Sequence, residues 1–454
     1  MLSGLVSFGP ASGGFPVTSR PVERIWFSAV IVNAATLVCG TLTGIVAARM
    51  LAPEGRGVLA AVVFWPQLLL TIGLCSLQEA VTYHVSQDAA KRDSLYSTAL
   101  YLAIGLAVVT CLVGYPLLPY LLKHERMAWL GTVRIYLLLY VPIGFLSISL
   151  LGVELGKLKI TRFNLYQLVN PLTYLCVLLA LWAMHAVTVS NVIWASLAGT
   201  VSVTALLLFR LRRVVFRSPD PTEARGILRT AWRFHITALL VLVTSQVDRF
   251  VAITLLDDRS VGLYAAALAI ASAGIGIIST SFHTLMFPSI ARREESAQRE
   301  YLAKGMRYAM FLIVTCSVPL AASIPIVLPL LFGPAFRSAI VPAVLLVIAY
   351  VPLALRQIII RTLRGIGDAR AGTVAEGISV ATFLVLCWPL TKHWQLVGLS
   401  IALLIGNSAA IAYLTWHMSA RLAIPPRRWW GLDIATLTEA VQRTRAALSL
   451  KAVT

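Results

Sequence analysis

Arg210-Leu211-Arg212-Arg213-Val214-Val215-Phe216-Arg217-Ser218-Pro219-Asp220-Pro221-Thr222-Glu223-Ala224-Arg225-Gly226-Ile227-Leu228-Arg229-Thr230-Ala231-Trp232-Arg233 is the longest and most basic interruption in an otherwise apolar chain of 454 residues. On either side of it run apolar stretches of about 20 residues or more, the length a helix needs to cross a hydrocarbon core. Outward from this stretch the hydrophilic breaks alternate in charge. Seven alternate breaks, both chain ends included, hold 28 of the 38 Lys and Arg residues, and the six breaks between them hold only 7. Basic residues accumulate on the cytoplasmic side of a membrane. The alternation therefore implies a polytopic membrane protein with both termini in the cytoplasm. The formal net charge of +19 is then a topology signal, and no nucleic-acid partner is expected.

Composition agrees. A soluble domain is about a quarter charged; here charged residues are 13% and hydrophobic residues 58%. Twelve apolar segments are expected to be membrane helices, near 26–50, 57–83, 94–122, 127–152, 166–186, 190–210, 231–256, 261–288, 308–332, 338–361, 372–391 and 396–418. They are continuous rather than alternating, which excludes a barrel. A miscounted helix would invert the charge alternation downstream, and no inversion occurs. The fold class is thus all-α, with twelve transmembrane helices in two six-helix bundles. The expected organisation is a cytoplasmic N-tail at 1–25, a first bundle at 26–210, a basic linker at 211–230, a second bundle at 231–418 and a cytoplasmic amphipathic tail at 419–454. The first twenty residues lack the basic start and compact apolar stretch of a cleaved signal. The six cysteines lie within apolar segments without metal-ligand spacing, so neither disulfides nor a metal site is expected. No catalytic constellation is present, and no cofactor is implied.

The two halves echo one another. Residues 50–61 align without gaps on 255–266, both being turns that end in glycine before a run of small residues. Gly156-Lys157-Leu158-Lys159 similarly echoes Gly367-Asp368-Ala369-Arg370. Two halves of equal orientation imply a pseudo-two-fold along the membrane normal, the plan of a transporter with a central cavity.

Charges at membrane depth are costly and mark cavities or partners. Arg134 lies about two turns into its helix, as do Asp248 and Arg249 in the seventh. Glu79, Arg356 and Glu376 lie near helix ends, where Arg356 can reach the interface along its own stem. Asp248 reads either as half of a structural ion pair or as a proton or cation site, with Arg249 and Arg134 forming an anion site. Asn33 and Gln67 could line the same cavity, or simply bond neighbouring helices.

Residues Ala48-Arg49-Met50-Leu51-Ala52-Pro53-Glu54-Gly55-Arg56-Gly57-Val58-Leu59-Ala60 resemble the R-x-L-G-P-E-G-R-G-x-L-A turn of polysaccharide flippases. The stretch from Asp248 to Ala266 is similar to the seventh and eighth helices of the same proteins. These belong to the multidrug/oligosaccharidyl-lipid/polysaccharide (MOP) exporter superfamily. Ala52 departs from the pattern, which has glycine there, and the change is expected to alter only the turn. The resemblance implies a flippase, not an enzyme. It would carry undecaprenyl-diphosphate-linked oligosaccharides from the inner to the outer leaflet by alternating access, for surface polysaccharide such as lipopolysaccharide O-antigen, capsule or exopolysaccharide. It implies a bacterial inner membrane location. Expected partners are the lipid-linked oligosaccharide and anionic lipids at the basic loops, with a polymerase and glycosyltransferases as candidates. For an anionic diphosphate the available cations are Arg134, Arg249, Arg356 and Arg49, joined by Asn33 and Gln67, with Asp248 for ion coupling. The competing readings are an ion-coupled multidrug or organic-cation antiporter of the same superfamily and a scaffold for glycosyltransferases.

Overall fold

The computed structural model describes residues 19–87, 92–157, 159–211, 218–291, 295–365, 368–422 and Trp430. Every regular element among the described residues is helical. Ten helices are long and apolar enough to cross a membrane. Two of them double back, so the chain makes twelve spans.

The first of these two is α1 (Ser19–Gly73), which reverses at Ala52 (φ 56°, ψ 177°). The Arg56 Nη2 lies 4.0 Å from the point a Cβ on Gly44 would occupy. Twelve residues of straight helix would separate the two by about 18 Å, so the chain has folded back. The second is α11 (Ala369–Leu422), which reverses at Gln395 (φ 46°). There the Leu390 carbonyl oxygen would stand 2.0 Å from a Cβ on Gly398, so only glycine fits. Between them run α2 (Leu77–Gln87), α3 (Arg92–Leu121), α4 (Leu130–Gly156), α5 (Ile160–Ala183), α6 (Val189–Leu211), α7 (Pro221–Leu255), α8 (Asp258–Ala291), α9 (Glu295–Phe332) and α10 (Ile340–Gly365).

Three boundaries differ from the sequence reading. The second span is interrupted: after Gly73 the backbone turns left-handed at Cys75 (φ 49°) and Ser76 (φ 56°) before α2 resumes. A helix already begins at Ser19, inside the expected N-tail. Residues 221–230 of the expected linker form the first turns of α7. The local sequence explains that start: the Asp220 carboxylate accepts the Thr222 amide at 2.8 Å, and Pro221 brings a helix-ready φ without a donor to waste. The remainder of the basic break at 212–217, the tail at 432–449 and Gly367 lie outside the described residues.

The repeat extends further in three dimensions. Residues 118–142 superimpose in sequence on 328–352 without a gap, and Tyr140-Val141-Pro142 recurs as Tyr350-Val351-Pro352. A short 3-10 helix, His124–Trp129, occurs again as Pro334–Ala339. Leu118 and Leu328, and Val133 and Ala343, are each fully buried. Each half thus packs its own apolar core with the same face of the corresponding helix. We call the membrane side bearing the basic breaks the basic face and the opposite side the far face.

Candidate functional site

The two halves are joined at the far face. There α1 crosses α8 so closely that backbone meets backbone. A Cβ on Gly57 would lie 1.7 Å from the Asp258 carbonyl oxygen, and one on Gly262 would lie 1.8 Å from that of Pro53. Small residues permit such close helix approach. Around this crossing, cations of the first half seek helix-end carbonyls of the second. Arg126, 2% exposed, places its Nε 2.5 Å from Asp258 and donates Nη1 to the Ile253 carbonyl at 2.6 Å. Lys123 donates to the Leu256 carbonyl at 2.8 Å. Arg49 donates to the Leu331 carbonyl at 2.7 Å and also to that of Leu330. These carbonyls belong to the last turns of α7 and α9, which carry the negative end of the helix dipole. Burial lowers the Lys123 pKa, as does neighbouring Arg126, against the pull of nearby carboxylates.

Within the second half a polar cluster forms on α7, α8 and α10. Asp248, 9% exposed, accepts the Tyr264 hydroxyl at 2.6 Å. Tyr350 stands within electrostatic reach of both Asp248 and Arg249. Arg249 points the other way, is exposed, and reaches only Gln246 at 3.4 Å. Neighbouring residues on a helix diverge by about 100°, which accounts for the split.

The first half holds an aromatic cluster. Tyr136 and Tyr140 on α4 stack at 5.0 Å, and Trp194 on α6 meets Tyr136 edge-on. The Tyr136 hydroxyl is 3.2 Å from Ser196. Gln67 lies within hydrogen-bonding reach of Tyr140. Tyr174 on α5 stands within electrostatic reach of both Tyr136 and Arg56.

The structure distributes the expected site residues among different environments. Gln67 and Asp248 point into these two clusters. Arg134 instead lies over the Tyr115 ring at 4.4 Å, between the exposed apolar side chains of Ile135, Leu138 and Leu139. Arg49 belongs to the far-face seal. Arg356, 3% exposed, pairs with Glu376 at 3.2 Å, joining α10 to α11. Asn33 is exposed on α1. Three residues escaped the sequence reading. Arg56 and Arg126 were absorbed into loop charge. Glu154, fully buried on α4, accepts the Tyr96 hydroxyl at 3.1 Å, and Lys157 sits 4.2 Å over that ring.

Residues 23–294 match the family described as polysaccharide biosynthesis protein. The chain belongs to this family. No curated protein sequence matches it. Among solved structures, this member of the polysaccharide biosynthesis family is similar to the lipid II flippase MurJ in an inward closed conformation, with TM-score 0.73 and 14% identity over 93% of this chain and 92% of that one. It is also similar to an inward-facing multidrug resistance MATE transporter of the MOP superfamily, with TM-score 0.65 and 17% identity over 87% and 98%. An outward-facing MATE transporter gives TM-score 0.52 and 16% identity over 88% and 95%. At these identities the likeness establishes the fold: the polysaccharide biosynthesis protein has the architecture of the MOP transporters.

Proposed function

We propose that the protein is a flippase that moves diphosphate-linked oligosaccharide lipids across the bacterial inner membrane by alternating access, for surface polysaccharide assembly. One observation carries this reading. Among the described residues, the buried carboxylate Asp248 is held by Tyr264, Glu376 is paired with Arg356 and one oxygen of Glu154 accepts from Tyr96, while Glu79 is exposed near a helix end. Guanidinium groups, by contrast, are left without a carboxylate among the described residues at Arg56 and Arg249. A cavity with surplus cations suits an anionic cargo and disfavours an organic cation. The positive-inside rule makes the basic face cytoplasmic. With the far face sealed, the cargo headgroup enters from the cytoplasmic side or laterally. Asp248, the buried carboxylate of the second half, is the coupling group in this scheme.

The test is translocation of a fluorescent lipid-linked oligosaccharide in vesicles of purified protein. Transfer between leaflets, driven by an imposed pH gradient and made indifferent to it by Asp248→Asn, is the expected result. Vesicles that exchange organic cations and leave the glycolipid in place would instead identify an antiporter. An unchanged gradient response in Asp248→Asn discards the coupling role.

A further inference from the structure

We infer that Arg56 is the anion-binding group of the first half, and that it takes the diphosphate of the cargo; this rests on the flippase reading. Arg126, Arg49 and Arg356 each have partners within the chain. Arg126 has Asp258 and two or more carbonyls, Arg49 has the end of α9, and Arg356 has Glu376. Arg56 has none: its Nε is closed off from solvent and lacks a hydrogen-bond partner, and it forms no ion pair among the described residues. A guanidinium offers five donors; Arg56 is half-buried, so donors other than its Nε remain open to a ligand. The described residues supply it no counter-ion, which leaves that place to a ligand.

The surroundings state what kind of ligand. The reversal at Ala52 puts Arg56 in the first turn of the second span, and its side chain runs back along α1 to Gly44, where the missing side chain leaves room. Tyr174 stands within electrostatic reach of the guanidinium and of Tyr136, and Gln67 lies within hydrogen-bonding reach of Tyr140. A cationic fork beside phenolic donors suits phosphate oxygens. Arg56 is also the immediate neighbour of Gly57, whose backbone contact seals the far face. Motion of the second span during opening must carry the anion site with it.

Binding of undecaprenyl diphosphate and of inorganic pyrophosphate to the full-length protein in nanodiscs tests this, with thermal melting as the folding control. Expected is a loss of tenfold or more in Arg56→Gln, an intermediate loss in Arg56→Lys, which keeps the charge and loses the fork, and a change within twofold in Arg134→Gln. Affinity in folded Arg56→Gln equal to that of the unaltered protein overturns the proposal. Should Arg56→Gln not fold, Arg56→Lys decides: a fivefold loss supports the site and unchanged affinity overturns it. Tighter binding of the lipid assigns the lipid headgroup, whereas equal binding of pyrophosphate assigns a free anion and overturns the lipid as occupant. Normal glycolipid translocation by Arg56→Gln overturns the site and leaves the flippase reading standing. Anion binding lost in Arg56→Gln by a protein that never translocates glycolipid does the reverse.

Discussion

Gly57 and Gly262 occupy equivalent positions in the two halves, and each is pressed against a backbone carbonyl that is itself the equivalent of the other's, Asp258 for one and Pro53 for the other. The contact is thus reciprocal about the pseudo-two-fold. Adding one methyl group at either position forces the helices apart by more than an ångström. Gly57→Ala and Gly262→Ala should each shift the protein toward a form open at the far face, and the double variant more so. Accessibility of a far-face cysteine to a membrane-impermeant reagent measures this. Gly40→Ala, where nothing lies within 4 Å of the added carbon, should leave it unchanged.

Arg126 is the second element of the same seal. Removing one partner of a buried charge pair costs about 3–5 kcal/mol, and here the cost falls on the closed form alone. Arg126→Ala should therefore open the far face at least as strongly as Asp258→Ala, because it also abandons the carbonyls of Ile253 and Leu256. The double variant should be no worse than Arg126→Ala alone.

Arg356 and Glu376 make a structural pair in the second half. Glu376→Gln strands a buried guanidinium whose Nε and Nη1 already lack partners, and should destabilise by about 3–5 kcal/mol. Arg356→Met with Glu376→Met should restore much of the melting temperature, since apolar replacement of a buried pair is often neutral or better. Cargo affinity that survives in the double variant separates this pair from the binding site.

Ala52 holds φ 56°, ψ 177°, a region that only glycine occupies without strain of about 1–3 kcal/mol. Ala52→Gly should raise stability by about 1 kcal/mol after the extra chain entropy of glycine is subtracted. A melting temperature that falls would show the reversal to be relaxed as it stands.

Asp368, in the turn between α10 and α11 on the basic face, accepts His417 at 2.8 Å and Arg421 at 2.5 Å. Burial alone would raise its pKa, but these bonds and the Ala371 amide outweigh burial and hold it below the usual carboxylate range. A depressed carboxylate stabilises the fold above its unfolded pKa and loses that contribution as pH falls through the lower folded value. Asp368→Asn should therefore lower the melting temperature at neutral pH, and the difference from the unaltered protein should vanish only in strong acid.

Span number and duplication were legible because each rests on a signal repeated along the chain: lengths of apolar residues and recurring turns. The longer echo from Leu118 to Pro142 was equally open to inspection and lay in the repeat of Tyr-Val-Pro. The pairing of charges was not legible. Arg356 and Glu376 stand twenty residues apart on different helices, and no local pattern says that they touch. Arg126 and Arg56 sit in hydrophilic turns, where a basic residue is ordinarily solvated; only the packing of helices turns one inward to Asp258 and the other down along α1. The place of Arg134 over the Tyr115 ring was not legible either, since depth along the helix says nothing about the face it occupies.

The seal at the far face has a direction. Every cation in it, Arg49, Lys123 and Arg126, comes from the first half, and every acceptor, from Ile253 to Leu331, comes from the second. In the transport cycle proposed above, opening strips these cations of their carbonyls and presents them to the phosphates of the departing lipid. The mouth cannot shut again while an anion holds its bolts. Reclosure and cargo thus compete for the same three side chains, and the protein resets only when its exit is clear: a rectifier built from misplaced counter-charges.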